Sequence, residues 1–325
     1  MYTPQKDDFE FITDHDISVD ENFSLQGYWK GVAVHFLKNK FAVTGVILVS
    51  VIILFAIFAP IVSTYAYDEI VSVTDSSGKE FIAKSLSPQF GDGDSENFAD
   101  RIFIFGTDDM GRDLWTRTWQ GARVSLIIAF VAIFIDMLIG TSYGLISGFF
   151  GGTVDHILQR FIEIAGSIPT LVIISILAIF MEKGIGLVIV SLLITEWIGM
   201  SKIARAECLK LKEREYVLAS RTLGAGSFHI IFKQILPNTI GPIITQVMFS
   251  IPVAIFTEAF LSFVGVGIVL PQCSIGSLIE AGFGNITILP YQILPPIFVL
   301  ATLMLGFNLI GDGFREALAP KLEDM

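Results

Sequence analysis

Six apolar stretches separated by polar segments constrain this chain more than any other feature of its sequence. They fall at about residues 41–65, 124–150, 157–181, 185–204, 237–264 and 295–310. A helix needs ~20 apolar residues to cross the hydrocarbon core of a bilayer. No water inside that core can satisfy a free amide or carbonyl, so a spanning segment must close its own hydrogen bonds. None of the six alternates polar and apolar residues, and each is therefore expected to be a helix. Hydrophobic residues make up 53% of the 325 and charged residues 16%, which excludes an ordinary soluble domain. The expected class is an all-α integral membrane protein of six transmembrane helices, carrying a small exterior loop subdomain.

Orientation follows from Lys and Arg, which concentrate in short cytoplasmic loops. Lys30, Lys38 and Lys40 flank the first span, and Arg205, Lys210, Lys212, Arg214, Arg221 and Lys233 lie between the fourth and fifth. Residues 266–294 contain neither. Both termini are thereby placed in the cytoplasm. The net charge of −11 arises mainly in the N-terminal arm and the first exterior loop, so it says little about function. The arm has no apolar segment preceded by basic residues and does not read as a cleavable signal peptide. Cys208 and Cys273 fall on opposite sides of the membrane, which argues against a disulfide, and neither has metal-ligand spacing.

The chain divides into residues 1–40, a cytoplasmic arm and interfacial helix; 41–65, the first span; 66–121, the exterior subdomain; 122–312, a core of five spans; and 313–325, a tail. Pro60 lies near the outer end of the first span. In the exterior loop, two β-prone runs around Asp75–Gly78 predict a β-hairpin, within either a lid over the translocation path or a plain loop. Gly140, Gly144 and Gly148 leave one stripe of the second span bare enough for another helix to approach closely. Pro169 and Pro252 predict kinks in the third and fifth spans. Residues 269–290 are too short and Gly-rich for a crossing and predict an exterior re-entrant turn and helix. Pro295-Pro296 suit the first turn of the sixth span.

The cytoplasmic loop 205–236 is polar where everything near it is oily. Within Glu215–Asn238, reading EYVLASRTLGAGSFHIIFKQILPN, a short helix is expected with Val217, Leu218 and Leu223 on its apolar face. Gly224 and Gly226 stop it, and Pro237 suits the start of the next span. This stretch resembles the EAA loop of bacterial ABC importer permeases: Glu-Ala-Ala, three residues, Gly, nine residues, Ile, one residue, Leu-Pro. Aligned on Gly224 and Leu236-Pro237, it departs from that pattern at Leu218, Ser220 and Gln234. The surrounding KEREYVLASRTLGAG is similar to the dipeptide and oligopeptide branch. The resemblance implies a type I ABC importer permease fold and a coupling helix seated on a cytoplasmic ATPase, with Glu215, Ala219, Ser220, Gly224, Leu236 and Pro237 at the contact.

Three further stretches carry the same resemblance. GTDDMGRDLWTRTWQGARVSL (Gly106–Leu126) resembles an exterior signature of the branch, bearing Thr107, Asp108, Gly111, Arg112, Asp113 and Arg123. Thr107 or Asp108 can cap a turn there, and Arg112, Asp113, Arg117 and Arg123 can form an ion-pair network. Its role is support for an exterior gate, contact with a binding protein, or anchoring of the second span. TEAFLSFVGVG (Thr257–Gly267) and GDGFREALAPKL (Gly311–Leu322) match two more signatures. The family implies a second, related permease, two ATPase subunits that bind ATP and Mg, an exterior substrate-binding protein, and a bacterial cell (inner) membrane. No cofactor in this chain and no nucleic-acid partner is implied. The implied cargo is dipeptides or oligopeptides, and the same family also serves nickel chelates, opines and glutathione.

Intramembrane carboxylates are costly and mark function by default, which singles out Asp136, Glu163, Glu196 and Glu258. Glu258, with Pro252 and Ser262 on the same span, is the candidate for the translocation path or its exterior gate. A proton relay would want several acids converging with a His, but His15, His35, His156 and His229 all fall at interfaces or in the cytoplasm. A gradient-driven carrier would show paired repeats with broken helices, and no internal repeat is evident. Enzyme motifs are also wanting: Gly78-Lys79 is followed by Glu80, not Ser or Thr, and the G-x-S-x-G at Gly140–Gly144 lies inside a membrane helix. ATP hydrolysis is expected only in partner subunits.

Overall fold

The computed structural model describes residues 25–74, 80–88 and 102–318. The acidic arm, the hairpin turn at Asp75–Gly78 and the end of the tail from residue 319 lie outside the described residues. Five helical stretches are long and apolar enough to cross a membrane: Lys40–Val62, Leu114–Phe150, Ile185–Leu211, Ser227–Phe263 and Pro290–Leu318. A sixth crossing is made if the bent pair Gly152–Gly166 and Thr170–Phe180 counts as one span.

Helix α1 (Leu25–Lys38) leads into α2 (Lys40–Val62), whose N-cap Asn39 accepts hydrogen bonds from the amides of Phe41 and Ala42. The hairpin between α2 and the next long helix pairs β1 (Ser72–Thr74) with β2 (Glu80–Ile82) antiparallel, Val73 opposite Phe81. Its Val71, Val73 and Ala83 are buried with Phe103 in a small core of their own. Helix α3 (Leu114–Phe150) has 37 residues. At ~1.5 Å per residue it extends about 55 Å, well beyond a hydrocarbon core of ~30 Å. It starts ten residues before the expected span because Asp113 caps it, accepting from the Thr116 amide at 2.9 Å and the Thr116 hydroxyl at 2.6 Å.

The glycine stripe of α3 meets α7 (Trp197–Leu211). A Cβ on Gly140 would lie 2.6 Å from the Trp197 carbonyl oxygen, one on Gly144 would overlap the Ser201 carbonyl, and one on Gly148 would lie 2.9 Å from that of Arg205. Two parallel helices therefore touch backbone to backbone. Helix α12 (Leu294–Leu318) packs on α2 in the same manner, with Gly45 against Gly306. Between α3 and α12 lies α10 (Leu236–Phe263), and Val49, Ile52, Trp119, Ile255, Leu303 and Phe307 fill the space where α2, α3, α10 and α12 meet.

Three expectations are corrected. The third stretch is not kinked at Pro169 but broken: α4 (Gly152–Gly166) and α5 (Thr170–Phe180) meet at 78°, with Pro169, which has no N–H to donate, as the N-cap of α5. The fourth is interrupted at Glu196, between α6 (Ile185–Thr195) and α7. The fifth begins ten residues before Pro237, as α9 (Ser227–Ile230) and a π-helical turn (Ile231–Ile235) run directly into α10. The remaining helices are α8 (Glu215–Thr222) and the exterior α11 (Ile275–Phe283).

Pro60 lies inside the last turn of α2 and cannot donate to the carbonyl of Ala56. Arg123 on α3 replaces that donor: its Nε reaches the Ala56 oxygen at 2.8 Å and its Nη2 the Ile57 oxygen at 2.6 Å. A carbonyl left bare in this setting costs about 1–3 kcal/mol. Arg123→Ala should therefore lower stability by about that much in detergent melting, and in a Pro60→Ala background, where a backbone N–H is restored, the penalty should shrink below about 1 kcal/mol. Equal penalties in both backgrounds would show that the proline and the arginine are not linked.

Candidate functional site

The loop between α7 and α10 is built on the ends of α3 and α7. Val217 is the one buried residue of α8 and enters a cluster with Leu145, Phe149, Ala204, Cys208 and Ile235, while the Arg221 guanidinium lies 5.2 Å from the centre of the Phe149 ring. The opposite face is open, with Glu215 and Ala219 exposed and Leu223 88% exposed. At the C-terminus the amide of Ala225 bonds to the Ser220 carbonyl and that of Gly224 to the Arg221 carbonyl. Gly224 has φ +85° and would meet nothing if given a Cβ, so it is required for backbone conformation rather than space. This is the Schellman arrangement, in which a left-handed residue after the last turn lets two amides reach back. Leu236 opens α10, and exposed Pro237 follows in its first turn.

Two of the three departures from the EAA pattern touch each other. The Gln234 amide nitrogen donates to the Ser220 hydroxyl, so a polar pair stands where the pattern has Ala and Ile. Spacing alone gave no sign of this contact, because the two residues sit on different helical segments, fourteen positions apart.

The exterior signature joins four parts of the chain. The Thr107 hydroxyl donates to the Ala83 carbonyl at 2.5 Å and accepts from the Leu86 amide at 2.8 Å, which fixes the hairpin. Asp108 caps the turn, accepting from the Met110 and Arg112 amides at 2.9 Å. Asp109 accepts from Asn285 after α11 at 2.5 Å and from Gln292 before α12 at 3.1 Å. Gly111, at φ +86°, brings its Cα against Ile82, where a Cβ would lie 2.5 Å from that side chain. The expected ion-pair network is corrected in its centre. Asp108 binds Arg112 at 2.7 Å and Arg117 at 3.5 Å, whereas Asp113 is spent as a helix cap and Arg123 on the carbonyls of α2. Burial pushes the Asp113 carboxyl up from its ordinary range, and the hydrogen bonds from Thr116 and Trp115 pull it down.

Glu258 is fully buried. It accepts from Ser125 on α3 at 2.5 Å and from Ser262 at 2.9 Å. Those hydroxyls in turn accept from the amides of Ile275, the first residue of α11, and Ile268, each at 3.2 Å. Pro252 and Ser262 are buried as well. Within this chain Glu258 and Ser262 tie α3, α10 and α11 together, and Ser262 also lines a cavity of about 530 Å³ shared with Asp108, Arg112 and Arg117.

A bundle of membrane-crossing helices with a half-exposed helix slung beneath it defines a multi-pass permease. Residues 140–324 match the family described as the binding-protein-dependent transport system inner membrane component, and residues 27–84 match the N-terminal TM domain of oligopeptide transport permease C. The chain belongs to the first of these families. It is 41% identical over 294 residues to the oligopeptide transport system permease protein OppC of Bacillus subtilis, covering 90% of each. It is 41% identical over 288 residues to the dipeptide transport system permease protein DppC of the same organism, covering 88% of this chain and 83% of that one. It is 33% identical to OppC of Escherichia coli, with 93% and 96% covered. The fold is that of a type I ABC importer permease: it superposes on a chain of the inward-facing MetNI methionine ABC transporter with a TM-score of 0.52, at 18% identity, over 62% of this chain and 96% of that one.

The Ser220–Gln234 contact can be tested by a double-mutant cycle. Ser220→Ala alone strands a half-buried amide and should cost about 1 kcal/mol in detergent melting, while Ser220→Ala with Gln234→Ile, which restores the apolar pair, should recover most of it. Additive losses would mean that the two side chains do not support each other.

Proposed function

We propose that this chain is one permease subunit of an ATP-driven importer of dipeptides or oligopeptides in a bacterial cell membrane, with both termini cytoplasmic. The observation that carries the reading is α8: Val217 pins it to the ends of α3 and α7, while Tyr216, Leu218, Leu223, Phe228 and Phe232 stay 43–88% exposed around it. Large apolar side chains left exposed in numbers at the polar end of a membrane protein mark a protein contact. In this reading it seats on an ATPase subunit, Ala219 and Gly224 permit close approach, and Glu215, Ser220, Leu236 and Pro237 frame the contact. Two such ATPases, carrying ATP and Mg, a second permease and an exterior binding protein complete the importer. The peptide assignment rests on the relatives, which are named for oligopeptide and dipeptide transport.

Closing of the ATPase pair would displace α8, and α3 and α7 would carry that displacement across the membrane. The exterior hub around Asp108 and the Glu258 junction then act as the struts of the outer gate. Because Asp tolerates left-handed backbone better than most residues, Gly224→Asp should leave the fold intact while placing a charge on the docking surface. Purified in mild detergent, the natural chain should bring ATPase subunits and a second permease, and the Gly224→Asp chain should lose the ATPase but keep the permease. A natural chain that stays folded yet purifies alone would refute the reading.

A further inference from the structure

A cavity of about 540 Å³ is hollowed between the α4–α5 bend, the α6–α7 break and α10. Thr170, Thr195, Gln246 and Ser250 line it together with two opposite charges, Glu196 and Lys202. Both belong to the span Ile185–Leu211, Glu196 half-buried and Lys202 exposed within this chain, and among the described residues neither side chain makes a hydrogen bond or an ion pair. Behind Glu196 stands Asp136 on α3. The α3–α7 register, which sets Gly140 against Trp197 and Met200, puts Asp136 one turn higher, beside the break. Asp136 is only 2% exposed, and neither of its carboxylate oxygens has a partner.

Ionised side chains facing lipid are costly, and those retained in a span face a wet cavity. This face of the chain is therefore turned toward a lumen. Two unpaired charges of opposite sign lining one cavity suit a ligand with charges of opposite sign at its two ends. Glu196 and Lys202 are six residues apart, about 9 Å of helical rise at ~1.5 Å per residue. That rise is only the axial part, since six residues at 3.6 per turn leave the two side chains about a third of a turn apart, so an extended peptide at ~3.3–3.6 Å per residue needs at least three residues to bridge them. On the facing wall the Gln246 amide nitrogen bonds the Ser250 hydroxyl at 3.2 Å, leaving the Gln246 carbonyl oxygen available to a peptide N–H.

We infer that this cavity is a transit site for the zwitterionic backbone of a short peptide, with Glu196 receiving its α-ammonium group and Lys202 its α-carboxylate. Asp136 supplies a second acidic group behind the ammonium end. The inference rests on the peptide-importer reading and gives it a place within the chain. It is tested on the assembled importer in detergent without nucleotide or binding protein, carrying Ser250→Cys and exposed to a tripeptide with free ends whose central cysteine is activated as a 2-thiopyridyl mixed disulfide, so that the thiolate at position 250 displaces 2-thiopyridone and no external oxidant is needed. Cys208 and Cys273 are both buried, which keeps background low. Disulfide capture at position 250 should fall tenfold or more on adding either Glu196→Gln or Lys202→Gln. Capture of the N-acetylated tripeptide should be insensitive to Glu196→Gln, and that of the C-amidated one to Lys202→Gln. Equal capture of the free peptide with and without the charge substitutions would overturn the site, as would absence of capture by an importer that still takes the peptide up. Failure of the peptide-importer reading would show separately, as no peptide uptake by the unmodified importer.

Discussion

Backbone contact between α3 and α7 is the constraint on which the rest of the structure depends. Three glycines at four-residue spacing put the carbonyls of Trp197, Ser201 and Arg205 where side chains would otherwise stand, and the two helices run in the same direction in fixed register. At the end nearest α8 the register is locked by polar contacts. Arg205 binds Asp155 through two bonds of 2.6 Å, Ser147 donates to the same carboxylate at 2.5 Å, and Lys212 donates to the Gly148 carbonyl at 3.0 Å. Since α8 rests on these ends through Val217, a displacement at α8 enters α3 and α7 together instead of being lost between them. Close-packed interiors transmit such shifts because they have no slack.

The other end of α3 explains why its length matters. The segment Thr107–Asp113 that leads into it carries the hub gathering the hairpin and the turn before α12, and Ser125, twelve residues into the helix, holds the start of α11. One helix therefore connects the hub around Asp108 at one end of the bundle to the α8 loop at the other. Pro60 and Arg123 fit the same pattern: a carbonyl freed by a proline on α2 is taken by an arginine on α3, so the first span is fastened to the rod that joins both faces.

Features set by local backbone geometry were legible in the sequence. Gly224 needs φ > 0, Pro237 suits a first turn, the glycine stripe needs a close neighbour, and alternating β-prone residues form the hairpin strands. Features set by which side chain meets which distant group were not. Asp113 and Arg123 looked like members of an ion-pair network because charge sign is visible in a sequence, but a cap amide and a freed carbonyl are not. The Ser220–Gln234 pair read as two independent departures because its compensation exists only across space. Pro169 announced a distortion without its angle, since a 78° break rather than a kink depends on what α5 packs against. Nothing in the composition around Glu196 announced an interruption.

The intramembrane acids show why charge alone is a poor guide to a site. Glu258 drew attention first as the costliest residue of its span, and it is the best satisfied: two serine hydroxyls hold it, and those serines hold the amides that begin the next exterior segment. A buried polar group in that condition stiffens its surroundings and has no capacity left for a ligand. Glu196 and Lys202 are the reverse case. They line one cavity, at an interruption in a helix, with no ion-pair partner for either among the described residues, and the side chain of Asp136 behind them has no hydrogen-bond partner there. Of the three only Asp136 is buried, and leaving its carboxylate unpaired costs stability with no return inside the chain, so the return proposed is what occupies the space in front of it. The distinction between strut and site in this bundle is thus made by the neighbours of each carboxylate rather than by its depth in the membrane.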